Sequence, residues 1–285
     1  MAVTSIADLN GLYNTIYDRV LFVAREANLM VNLVTNKSAR GWMTRNISIR
    51  PQVSAVSVAE TQDFNTPTTF GKSTLATLTP GEIMSQVVLT DQDQETDPDG
   101  ALVDAQRELG MSMATKVDVD LLSLFTSFTT DKGDGANATA TFAKFAAGVS
   151  VVLNVTKKSD GNPMAVLHPY HWHDLWLELG KPAATLPNLV GITEQALRDY
   201  FITTLLGNVS IFTSSNISVD GSDDAISGIF TRSAIYLDTR RDVRIEMERD
   251  ASARAWEINC NAGYAYGLVR STYGVKFTAD ATAPA

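Results

Sequence analysis

From Trp256 to Leu268 an apolar side chain falls on every second position: Trp256, Ile258, Cys260, Ala262, Tyr264, Tyr266 and Leu268. Period two kept up over this length describes one β-strand with one face in a core and the other outside. At ~3.3 Å per residue such a strand spans roughly 40 Å. It needs a partner of similar length. The preceding stretch has the same texture, with Val243, Ile245 and Met247 alternating with Arg244, Glu246 and Glu248. DASARA between the two reads as a turn.

An element of matching length is predicted over residues 97–128. Its apolar stripe runs Leu102, Leu109, Met113, Val117, Leu121, Leu124 and Phe128, at helical spacings. Asp97 can cap this helix, Pro98 suits its first position, and Asp99 complements its dipole. At 1.5 Å per residue it is roughly 45 Å long, whereas a compact globule of this chain length is only about 50 Å across. The simplest packing lays the helix along the long strands.

Elsewhere the texture changes segment by segment. Residues 5–34 carry apolar side chains at Leu9, Leu12, Ile16, Val20, Val23, Ala27, Met30 and Val34, a helical stripe in want of a surface. Residues 47–58 and 76–89 read as the two strands of a long hairpin. Its polar middle, AETQDFNTPTTFGKST, offers little core of its own, and an isolated hairpin is marginal in water. DKGDGANATAT after the long helix reads as a flexible connection, since its glycines follow a helix and not a strand. Residues 141–230 are mixed α/β: helices over 142–155, from about 169, and over 193–206, with strands over 164–167, 209–213 and 226–230. A further strand is expected over 234–237. SVDGSDD reads as a solvated acidic loop.

Composition narrows the functional classes. The 285 residues carry a formal net charge of -9 and one cysteine. Cys260 has no internal disulfide partner, and its place on the apolar face makes it core and not a nucleophile. The start lacks the basic and apolar regions of a signal peptide, and Val20 to Ala24 is too short to span a bilayer. The expectation is a soluble protein made in a cytoplasm. Arginines gather between Arg232 and Arg254, but Asp238, Asp242, Glu246, Glu248 and Asp250 interleave with them. This reads as a charge-paired surface instead of a phosphate-gripping patch.

All three histidines lie in HPYHWHDLW, residues 168–176. Pro169 biases His168 out of the helical region, so His168 ends a strand and a helix begins beyond it. On that helix His171 and His173, two apart, point to different faces. Three ligands cannot converge on one metal without breaking the helix. The expected reading is a helix start with Trp172, Leu175, Trp176 and Leu179 packing inward. No Walker A loop, Gly-x-Ser-x-Gly elbow or His-Glu-x-x-His is present. No catalytic residue, cofactor or metal site is assigned, and the chain is not read as an enzyme.

The order of segments (helical arm, long hairpin, long helix, α/β region, long terminal strands) resembles the major capsid proteins of tailed double-stranded DNA phages with the HK97-type fold. TPGEIMSQVVLTDQ leading into DAQRELGMSMATKVDVDLL is similar to that family's extended loop and spine helix. AVLHPYHWHDLW resembles a strand and helix of its axial domain. IFTRSAIYLDTRRDVRIEMERDASARAWEINCNAGYAYGLVRSTYGVKF resembles its closing section.

The resemblance implies an α+β fold. It divides the chain into an N-terminal arm (1–46), an extended loop (47–90), the spine-helix part of a peripheral domain (91–129), an axial domain (130–232), peripheral β-strands (233–278) and a tail (279–285). It implies self-assembly in hexamers and pentamers into an icosahedral virion shell around packaged DNA, held without sequence-specific binding and away from any membrane. A scaffolding protein, a portal and decoration proteins are the implied partners, with assembly in the host cytoplasm. No long coiled-coil precedes Ser5, so the implied scaffold is a separate protein or the chain is a processed form. Phe64, Phe70 and Lys72 near the loop tip, and Arg249 and Arg254 in the 249–254 turn, are the candidate intersubunit contacts. The alternatives are a nanocompartment shell of the same fold and, further off, a metal-dependent hydrolase using the histidines.

Overall fold

The computed structural model describes residues 29–39, 41–61, 69–96, 100–157, 159–180, 204–205 and 209–284. The chain opens with α1 (Met30–Leu33), β1 (Thr35–Ser38), β2 (Arg45–Ile49), β3 (Ser73–Leu78) and β4 (Gly81–Thr90). Then come α2 (Asp91–Thr96), α3 (Gly100–Ser123), β5 (Thr130–Asp131), α4 (Phe142–Thr156), β6 (Met164–Leu167) and α5 (Pro169–Gly180). It closes with β7 (Thr204–Leu205), β8 (Val209–Thr213), β9 (Asp224–Phe230), β10 (Ile235–Asp250), β11 (Ala255–Leu268) and β12 (Gly274–Asp280).

The long strands form a four-stranded sheet in the order β1-β10-β11-β4. α3 lies on it as the matching lengths predict. Leu109 and Met113 of the helix share one cluster with Ile245, Ile258, Cys260 and Ala262. The helix then tightens into a 3-10 turn, Leu124–Ser127, which drives Phe125 into a second core. There Phe125, Phe128 and Phe230 lie with ring centroids 5.4 to 6.3 Å apart, spacings typical of favourable aromatic pairs. Gly228 and Gly274 make room: a Cβ on the first would sit 2.7 Å from the Phe125 ring, and on the second 2.1 Å from that of Phe128.

The second sheet has six strands, β5-β12-β9-β6-β8-β7. α4 and α5 cover it through Phe145, Val149, Val152 and Leu175, which pack on Leu167, Ile229 and Phe277. β6 and β8 run parallel, and α5 supplies part of the crossover such a pair requires. β12, which follows the long strands in sequence, pairs with β9 and β5 and so belongs to this sheet.

The α+β class read from the sequence is the class found, and several local expectations are corrected. The strand expected over 76–89 is two strands in different sheets. The break falls at Thr79 and Pro80, where proline cannot donate to a ladder. The hairpin ladder is thus short, β2 with β3, while β4 pairs with β11. Residues 51–59 join no ladder. The separate strands expected over 234–237 and 243–247 are one, carried through irregular registers between Thr239 and Arg244.

The connection after the long helix is pinned, not loose. The Lys132 N–H donates to Lys276 O at 3.0 Å, the Thr141 N–H to Asp134 at 2.8 Å, and the Asn137 N–H to Asp224 at 2.7 Å. Gly133 lies so close that a Cβ there would fall 2.0 Å from the Thr278 carbonyl oxygen. Of the helix expected over 193–206, Thr204–Leu205 forms β7 instead, and the rest lies outside the described residues. The cap at Asp97 with Pro98 and Asp99, and the arm helix before Leu29, also lie outside them. Among the described residues no helix is long and apolar enough to cross a membrane.

Candidate functional site

His171 is a core residue. Pro169 starts α5 directly after β6, and the helix turns His171 and Leu175 inward while Trp176 is 37% exposed. That corrects the expectation that Trp176 packs inward; the Leu179 side chain lies outside the described residues. The His171 ring sits between two strands, with Nδ1 2.8 Å from Ser227 Oγ and Nε2 3.0 Å from the Ala279 carbonyl. A carbonyl only accepts, so Nε2 carries the proton and Nδ1 accepts from the serine hydroxyl. The same hydroxyl oxygen accepts the His168 N–H at 3.0 Å. Burial lowers the His171 pKa to about 4 and also pulls His168 down. His173 stands apart, 3.7 Å from Asp174. Both His171 nitrogens are already engaged, and among the described residues no group of three or more His, Cys, Asp or Glu could hold a metal. The geometry lends the hydrolase reading no support.

Cys260 is fully buried against α3, and burial pushes its thiol up to about 11. Such a thiol is almost wholly protonated at neutral pH and a poor nucleophile.

Two carboxylates of the long helix carry structural roles that its apolar stripe did not announce. Asp118 is 1% exposed. Its Oδ1 accepts the Met30 N–H of α1 at 2.8 Å and its Oδ2 accepts from Asn216 Nδ2 at 3.0 Å, so the arm and the six-stranded half meet at one side chain. Asp120 accepts the Tyr264 hydroxyl at 2.7 Å and pairs with Lys116 at 2.6 Å. The signal was present in KVDVD: two acids two positions apart beside the apolar stripe cannot both point away from a helix packed on both sides.

Of the predicted contact residues, the described ones are Phe70, Lys72, Arg249 and Arg254. Phe70 is 54% exposed with the Arg50 guanidinium 4.9 Å over its ring, and Lys72 is exposed. Phe64 lies outside the described residues. Within residues 51–59, Val53, Val56 and Val58 are 59%, 63% and 47% exposed, and none of them joins a core cluster. They were legible as strand-like residues but not as uncovered ones.

At the opposite hairpin, between β10 and β11, Arg249 grips Asp91 with both terminal nitrogens, at 2.5 and 2.6 Å. It also lies 5.4 Å over the Trp256 ring. Arg254 takes a positive φ of 52°, and its carbonyl accepts the Asp91 N–H at 3.0 Å. Arg241 pairs with Glu82 at 2.8 Å. Arg241 and Arg249 are thus charge-paired at the surface, whereas Asp238 and Arg240 of the same stretch are buried together, which corrects the expectation of a wholly surface-paired segment.

A long helix lies on a long-stranded sheet, a second sheet carries its own helices, and beyond its root the hairpin joins no core cluster among the described residues. Solved structures agree on the fold. A structure from Mycobacterium phage Che8 aligns with TM-score 0.66 at 19% identity, over 88% of this chain and 90% of that one. The cyanophage P-SCSP1u capsid gives 0.65 at 12% identity, over 90% and 89%. A virus-like particle from Pyrococcus furiosus gives 0.60 at 10% identity, over 93% and 98%. No curated protein matches in sequence. The phage capsid protein family matches residues 85–277, more than half of the chain. The chain belongs to the phage capsid protein family.

Proposed function

We propose that this chain is the major capsid protein of a tailed phage. It assembles with itself, in hexamers and pentamers, into the icosahedral shell that encloses the double-stranded DNA. The observation that carries this reading is the β2–β3 hairpin with residues 51–59. Beyond Leu78 at its root, Ile49, Val53, Val56, Val58, Phe70 and Leu75 are exposed in the single subunit and belong to none of the three cores. Apolar surface left in this arrangement is what a neighbouring copy covers. Phe70 with Val53, Val56 and Val58 is the proposed clasp. Arg249 and Arg254 mark a second contact, with Arg249 held in place by Asp91. The division into arm, extended loop, peripheral and axial parts is proposed on the same basis, with β4 and β12 assigned by pairing to the four- and six-stranded sheets.

The net charge of -9 suits a container whose wall must not hold its DNA. A scaffolding protein, a portal and decoration proteins are proposed partners. Electron microscopy of the purified chain, alone and co-expressed with its neighbouring genes, tests the reading: closed shells or curved sheets are expected. A stable monomer under every condition overturns it. Particle content separates the runner-up, a nanocompartment shell of the same fold: nuclease-protected DNA supports the phage reading, a protein cargo the other.

A further inference from the structure

The hairpin meets the body of the subunit at one rung. Arg45 and Leu78 are partners across the β2–β3 ladder, and each is seated on the four-stranded sheet, on the face away from α3. Leu78 is 1% exposed and lies over Gly267, where a Cβ would come 2.7 Å from its Cδ2. Next to it, Trp42 fills the space over Gly263, where a Cβ would sit 2.6 Å from the indole. The Arg241 guanidinium stacks on that indole at 5.0 Å. On the neighbouring strand, Tyr236, Asp238 and Arg241 are the partners of Gly267, Ala265 and Gly263. Asp238 therefore lies in the middle of the seat.

Asp238 is fully buried between two cations. Its Oδ2 is 2.8 Å from Arg45 Nε of the hairpin and 2.7 Å from Arg240 Nη2 of its own strand. The Arg45 and Arg240 side chains are 30% and 4% exposed. Neither carboxylate oxygen finds a well-directed hydrogen bond, nor do Arg240 Nε and Nη2. The contact is charge against charge in a dry place, two guanidiniums to one carboxylate. A buried ionic group of this kind is weak evidence of net stability, because desolvation offsets the attraction. Its established use elsewhere is to fix one arrangement among several.

We propose that Asp238 is a positioning residue: with Arg45 and Arg240 it forms a latch that sets the angle at which the hairpin leaves the subunit. Beyond the Arg45–Leu78 rung no hairpin residue enters a core cluster, so the angle is decided at the root. At ~3.3 Å per extended residue, the chain from Arg45 to Ala59 reaches up to about 45 Å. A tilt of about 10° at the root moves a point at that reach by about 8 Å, further than a side chain extends. A clasp aimed that far off misses its neighbour. The consequence for assembly rests on the capsid reading above; the geometry of the latch does not.

The test cuts the link between hairpin and body while leaving the Asp238–Arg240 pair in place. Arg45→Met does this, Arg45→Lys is the conservative control that keeps a cation, and Lys276→Gln removes an unrelated pair, with Asp131 at 4.0 Å. Spin labels at Lys72→Cys and Glu108→Cys, both exposed, report the hairpin-to-body distance in unassembled full-length subunits. Shell formation is followed separately by electron microscopy. Arg45→Met is expected to keep native circular dichroism, to broaden the distance distribution at least twofold and to lower the yield of closed shells about tenfold. Arg45→Lys should restore most of both, and Lys276→Gln should change neither distribution nor yield. Asp238→Asn, if it folds, should match Arg45→Met.

An Arg45→Met distribution as narrow as that of the parent overturns the latch, whatever the shells do. A broadened distribution with undiminished shells refutes the positioning role. If the parent itself makes no shells, the capsid reading fails while the distance measurement still decides the latch.

Discussion

Replacing Val53, Val56, Val58 and Phe70 together by serine should separate folding from assembly. Each is about half exposed in the single subunit, from 47% to 63%, and none joins a core cluster. Full burial of such a side chain is worth about 1.5–3 kcal/mol, so covering the exposed halves of all four is worth about 3–6 kcal/mol per subunit. With 1.4 kcal/mol per factor of ten, the contact equilibrium should fall by roughly two to four decades. Phe70 also carries the Arg50 cation above its ring, an exposed pair worth about 0.5–1 kcal/mol, so a small loss of order within the hairpin is included. Sedimentation velocity across a concentration series, with electron microscopy of the fast fraction, measures the assembly threshold. Circular dichroism and urea unfolding of the slow fraction measure the fold. The expected result is a threshold raised at least a hundredfold with an unchanged unfolding midpoint. A wild-type threshold refutes the clasp, and a subunit that unfolds shows these side chains belong to its own core.

Three further outcomes are expected. The His171 pKa is pulled from 6.5 to about 4 by burial, so between those values the unfolded chain takes up a proton that the folded chain does not. Stability should be full above pH 6.5 and fall by about 3 kcal/mol by pH 4; urea midpoints should track this, and His171→Phe should lower stability at pH 7 and flatten the fall. Cys260 should resist a thiol reagent at pH 8 in the folded protein and react on unfolding, because burial pushes its pKa to about 11; rapid stoichiometric labelling of native protein contradicts this. Gly228→Ala should cost about 1–3 kcal/mol by overpacking, since its Cβ would meet the Phe125 ring at 2.7 Å; a thermal melt matching the parent refutes that packing.

What sequence alone determined was whatever repeats with a period. The alternation from Trp256 to Ala262 placed those side chains on the helix-facing side, and the stripe through Leu109, Met113 and Leu121 placed the helix against the long strands. Both follow because period and burial are tied within one element. The parting of His171 from His173 was legible the same way, from spacing on a helix. The sequence did not reveal that the other face of β11 is covered at Gly263, Ala265 and Gly267, where the hairpin root sits. Nor did it reveal that Tyr266, on the predicted inner face, is 36% exposed.

Tertiary structure decided the pairings between distant positions: Asp238 with Arg45, Asp118 with Met30 and Asn216, and His171 with Ser227 and Ala279. An acid in an arginine-rich stretch looks the same whether it is solvated or sealed beneath a hairpin. Only the arrival of Leu78 and Trp42 on small residues excludes the water. Burial of a polar group is a property of what covers it, and the covering residues are far away in the chain.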